Sequence, residues 1–131
     1  MSPLSAYMKS NVATASAPQI MISLFQAALR NMRVSAGAFD RGDYQIGSVT
    51  AEKAAAIVLG LQGTLKPEVA PELCARLSEL YTFVACRLAM AGTKLSSQYV
   101  LEAERVFAPI ADAFVEAASI TSAPMYASAA G

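Results

Sequence analysis

The sequence predicts an all-α fold, an antiparallel four-helix bundle with a short N-terminal helical segment. Three observations predict it. Apolar residues recur at helical spacing in four separate stretches, and turn residues separate those stretches by short connections. No run alternates with the two-residue period of a strand. At 131 residues the chain is one domain, long enough to bury a core. We divide it into an N-terminal segment (1–15), the bundle (16–118) and a flexible tail (119–131).

Residues 1–15 carry little charge and one anchor, Tyr7. Leu4, Tyr7 and Met8 share a helical face, which suits a short helix docked on the body. The first bundle helix starts at Ser16-Ala17-Pro18-Gln19. Ser16 is placed to cap it, Gln19 to complete a capping box, and Pro18 lies in the first turn, where its missing N–H costs nothing. Ile20, Leu24, Ala27, Ala28, Met32 and Ala36 then recur as a stripe, with Arg30 and Arg33 on the wet side. The helix ends near Gly37 to Asp40, and Arg41-Gly42-Asp43 is a turn.

The second helix, roughly Asp43 to Leu65, is central. From Ile46 to Leu65 it reads IGSVTAEKAAAIVLGLQGTL, with Glu52 and Lys53 as its only charges. A surface helix normally shows one apolar stripe and a broad polar face. Here more than one face needs cover, and part of that cover can come from a second chain. Gly47, Gly60 and Gly63 each cost about 1 kcal/mol against alanine. Close packing on a neighbouring helix is the preferred explanation, and a shallow groove for a partner helix is the alternative. Pro67 closes this helix.

Pro71 opens the third helix, whose stripe is Leu73, Leu77, Leu80, Tyr81, Val84 and Leu88, and Gly92 is its natural C-cap. Ser96 or Ser97 caps the fourth. Tyr99, Ala103, Val106, Ile110 and Phe114 form its stripe, and Pro109 predicts a kink. Residues from Thr121 onward read as a small-residue tail. Cys74 and Cys86 fall on one helix roughly 18 Å apart, beyond disulfide reach, and read as buried small hydrophobes.

Ten basic residues balance ten acidic ones, so no net field recruits nucleic acid or anionic lipid. The hydrophobic fraction of 55% is raised by alanine, which suits close helix packing first and a partner surface second. No secretory signal pattern is visible, and the longest apolar run, Ala54 to Leu61, is too short to span a bilayer. The expected location is the cytoplasm. The chain has no histidine, which removes the commonest general base and metal ligand, and no phosphate-binding loop. No catalytic residue, cofactor or metal is expected, and the chain does not read as an enzyme.

Several segments together resemble the flagellar export chaperone family FliS. The likeness rests on Ala6-Tyr7, on Ala15-Ser16 followed by Ile20, Leu24 and Phe25, and on Lys53-Ala54 with Ile57 and Leu61. It continues with Leu80-Tyr81, Arg87-Leu88 and Ala91, and ends with Ile110 to Phe114. The chain departs from the family's usual residues at Gln26, Ala27, Gly92 and Phe114.

The resemblance implies a cytosolic, all-helical chaperone without ATPase activity, which holds the disordered C-terminal region of flagellin. The implied role is to prevent premature polymerisation and keep the subunit competent for type III export. The flagellar export apparatus is a second partner it allows. The resemblance also implies that Tyr7 and its segment cover part of the groove in the free protein and move aside for the client; an ordinary N-terminal anchor fits Tyr7 equally well. Lys53 is then a group that positions the client's backbone or carboxylates, beside a merely solvated lysine as the alternative. Tyr81 is more often a core residue with a polar tip than a contact. Val49, Ala56, Ile57 and Gly60 complete the expected partner-binding set. A homodimeric helical adaptor or regulator for another flagellar or secretion protein is the alternative reading.

Overall fold

Four helices make up the computed structural model, which describes residues 17–130, with side chains over residues 18–119. They are α1 (Ala17–Asp40), α2 (Tyr44–Gly63), α3 (Pro71–Lys94) and α4 (Ser97–Ala130). Short connections make each antiparallel to the next. Contacts join α1 to α2, α2 to α3, α3 to α4 and α4 back to α1, so the helices ring one core with α2 diagonal to α4. The expected all-α bundle is what forms. Tyr7, its segment and the cap expected at Ser16 lie outside the described residues.

Local chemistry sets most boundaries. Asp43 caps α2 by accepting the Ile46 N–H at 3.3 Å. Pro71 is the first residue of α3, where a proline forfeits no hydrogen bond. Ser96 Oγ accepts the Gln98 N–H at 3.3 Å and so caps α4. At the same end of the bundle the Ser97 hydroxyl donates to Asp40 Oδ1 at 2.5 Å, tying the start of α4 to the end of α1.

The expected C-cap at Gly92 moves. α3 runs on to Lys94, and Leu95 caps it in the left-handed conformation, at φ 53° and ψ 45°, with its N–H donating to the Ala91 carbonyl. Pro109 does not interrupt α4. It and Arg105, whose carbonyl it would crowd, are both exposed. The backbone read as a tail from residue 119 stays helical to Ala130, in keeping with its alanines at 123, 127, 129 and 130.

The stripe of α1 holds at Ala28, Met32 and Ala36, which are buried as expected, but its first two turns are rotated by one residue. Ile20 and Leu24 are exposed, while Met21 and Phe25 are buried. Phe25 decides the rotation: its ring stacks on Phe107 at 5.5 Å and meets Phe114 at 4.4 Å, filling the centre between α1 and α4. Burying a phenylalanine is worth about 2–3 kcal/mol, which outweighs leaving Leu24 half-covered. Cys74 is buried, but Cys86 is exposed on the outer side of α3, against the expectation that both are buried. Leu80 also turns out exposed, because Leu77, Tyr81 and Val84 carry the inner stripe of α3.

The seam between α3 and α4 is fastened at the surface. Arg87 lies over the rings of Phe83 and Tyr99, at 5.1 and 5.9 Å, and its guanidinium reaches Glu102 at 3.7 Å. The seam between α1 and α4 carries Arg33 to Glu104 at 2.9 Å.

Candidate partner-binding surface

α2 buries Gly47, Ala51, Ala54, Val58 and Leu61. At 100° per residue these share one side, so Val49, Ala56, Gly60 and Gly63 fall on the opposite side, and all four are exposed. Lys53 stands at the edge of that outer ridge and makes no ion pair among the described residues. Toward α3, Ser48, Glu52, Ala55 and Leu59 form one wall of an open groove of about 560 Å³, and Leu88, Ala89, Gly92 and Thr93 form the other. Leu59 is 51% exposed at its rim.

The glycines divide into two kinds. At Gly47, α1 and α2 cross closely: a Cβ there would sit 2.8 Å from the Phe39 ring, and the buried Ser35 hydroxyl donates to the Gly47 carbonyl at 2.7 Å. The expected close packing is therefore present at Gly47. At Gly60, Gly63 and Gly92 a Cβ would meet nothing within 4 Å. Among the described residues no close packing explains Gly60 and Gly63, and their missing side chains leave the outer face of α2 low.

The sequence-derived set is only partly brought together. Val49, Lys53, Ala56 and Gly60 lie on one exposed face of α2. Ile57 does not join them. It points toward α1, is half-buried and packs against the core, because the helical period sets it about 100° away from Ala56. Tyr81 is 1% exposed and packs near Phe107, with ring centroids 6.3 Å apart, so its place is in the core rather than on a partner surface. Tyr7 lies outside the described residues. Sequence reasoning missed Leu59, Ala89 and Gly92 as groove walls. Leu59, three residues after Ala56 on a helix with two charges, was the available signal; nothing in α3 alone marks Ala89.

Further exposed apolar side chains lie beyond this face, among them Ile20 and Val34 on α1, Phe83 on α3 and Leu101 on α4. Among the described residues no cluster of acidic residues, cysteines or histidines could hold a metal ion, and no helix is long and apolar enough to cross a membrane. What the arrangement offers is a long, weakly charged, furrowed surface.

Comparison with known proteins bears on what such a surface is for. The family model described as "Flagellar protein FliS" matches residues 1–121. The chain belongs to the FliS family. The FliS match takes in α1, α2 and α3 whole and α4 beyond Ala118, and it begins before α1, so it includes Tyr7. The chain is also similar to the Flagellar secretion chaperone FliS of Bacillus subtilis (strain 168), with 27% identity over 115 residues covering 88% of this chain and 85% of that protein.

Proposed function

We propose that this chain is a cytosolic flagellar export chaperone that holds the disordered C-terminal region of flagellin, keeps it from polymerising early and leaves it competent for type III export. The observation that carries the reading is the outer face of α2, where no described residue covers Val49, Ala56, Leu59 and two glycines. A segment that folds on binding loses conformational entropy, so it needs a long apolar contact rather than a few charges. Covering about 1,000 Å² of apolar surface is worth roughly 25 kcal/mol gross, most of it cancelled by ordering the guest. An exposed glycine in a helix weakens the free protein, and a helix lying directly on the backbone at Gly60 and Gly63 supplies a reason to keep it. Lys53, charged and with no ion pair among the described residues, stands at the edge of the ridge and positions carboxylates of the guest. Tyr7 and its segment act as a cover that the guest displaces.

The test is titration calorimetry with full-length flagellin and with flagellin lacking its C-terminal segment. Full-length protein binds, the truncated form does not, and Leu59→Asp abolishes binding while circular dichroism stays unchanged. Equal binding of both flagellins overturns the proposal. So does a stable homodimer, found by light scattering, whose interface covers α2.

A further inference from the structure

The corner where α2 meets α3 has the construction of a latched flap. Two glycines with no neighbour among the described residues, Gly60 and Gly63, lie in the last turn of α2, where each lowers the stability of the helix. Beyond them the chain crosses to Pro71 through turn residues 64–70, with Thr64 closing the helix by donating from Oγ1 to the Leu61 carbonyl at 2.7 Å. Against this weak backbone stands a strong side-chain tie. The Gln62 amide nitrogen is within 2.9 Å of the Ser78 carbonyl, 3.1 Å of Ser78 Oγ and 2.8 Å of Thr82 Oγ1, all on α3. Beneath the tie lies a second hollow of about 320 Å³, lined by Gln62, Leu65, Pro67, Pro71, Cys74 and Ser78. Cys74 is 6% exposed there.

We propose that residues 60–70 open as a unit in the folded protein, pivoting at Gly60 and Gly63, and that the Gln62 amide is the catch that sets how often they do. Helix ends with low propensity and few buried side chains open with free energies well below that of global unfolding. Its only buried side chain is Leu61, at 2% exposed, while Leu65 is half-buried against the core and Gln62 is tied to α3. Opening bares Leu61, Leu65 and the Cys74 thiol. It is a property of the chain alone and stands whether or not flagellin is the client. Under the chaperone reading, it lengthens the apolar strip of α2 at the moment a guest arrives.

Cys74 supplies the readout. With the exposed Cys86 changed to serine, the rate at which a disulfide reagent labels Cys74 under native conditions reports the open population. Gln62→Ala raises that rate about five- to tenfold, the loss of a typical hydrogen-bond tie, part-buried here. Gly60→Ala and Gly63→Ala each lower it roughly fivefold through helix propensity. The urea midpoint of each variant is measured alongside. Labelling rates that are equal across the series, that match a fully exposed thiol, or that never exceed the rate set by global unfolding overturn the proposal. Labelling faster than global unfolding, ordered Gln62→Ala above the parent above the glycine variants, upholds it.

Discussion

Alanine substitution at Gly47 and at Gly60 should move stability in opposite directions. Both residues lie in α2, and in both the intrinsic effect of the change is a gain of about 1 kcal/mol. At Gly60 nothing opposes it, because the new methyl meets no atom within 4 Å. At Gly47 the methyl enters the Phe39 ring, at 2.8 Å from Cδ1 and Cε1 and 2.9 Å from Cγ. Phe39 is buried and tilts against Tyr44 at 6.4 Å, so the ring is held in place. Overpacking of this kind costs about 1–3 kcal/mol. Separating the helices to relieve it stretches the buried bond from Ser35 to the Gly47 carbonyl and leaves a hydroxyl unsatisfied, which costs roughly another 1–3 kcal/mol. The net expectation is a loss of about 2 kcal/mol for Gly47→Ala and a gain of about 1 kcal/mol for Gly60→Ala. In a domain of this size these correspond to a fall in Tm of roughly 6–10 °C and a rise of roughly 3–5 °C. Thermal melts followed by circular dichroism measure both. A Gly47→Ala protein as stable as the parent, or a destabilised Gly60→Ala, would refute the division of the glycines into packed and open kinds.

Other expectations follow from the same geometry. Leu95→Gly relieves a left-handed leucine and should stabilise the fold by about 1 kcal/mol, read as a higher urea midpoint. Ile57→Asp should cost about 3 kcal/mol or more, because Ile57 packs against the core, whereas Leu59→Asp at the groove rim should leave the melt within about 0.5 kcal/mol of the parent. Arg33→Ala should cost less than about 1 kcal/mol despite its 2.9 Å ion pair, since the arginine side chain is 64% exposed; its effect should shrink further in high salt.

What could be read in advance was what depends on neighbours in sequence. The Pro71 start and the Ser96 cap are local events, and each sits where its residue type alone would put it; the Asp43 cap is as local, though the sequence alone marks Asp43 only as a turn residue. Helix rotation is different. Ile20 with Leu24 and Met21 with Phe25 satisfy the same spacing, and only the rings of Phe107 and Phe114, far along the chain, choose between them. The glycines teach the same lesson, since Gly47 differs from Gly60 only through Phe39, a residue of another helix. On the candidate surface, the common exposure of Val49, Lys53, Ala56 and Gly60 follows from the period of one helix. The burial of Tyr81 and the half-burial of Ile57 depend on what stands across from them in α4 and α1. Gly92 looked like a helix end because glycine so often is one; the chain instead places that conformation on Leu95.

The closing of the ring between its first and last members has a consequence for synthesis. Phe25 leaves the ribosome early, yet the two rings that shelter it belong to the helix made last, and so does the serine that clips Asp40. Until that final helix emerges, Phe25 lacks the two aromatic rings that meet it in the fold. The core of this FliS family member is thus complete only when its last helix has been made.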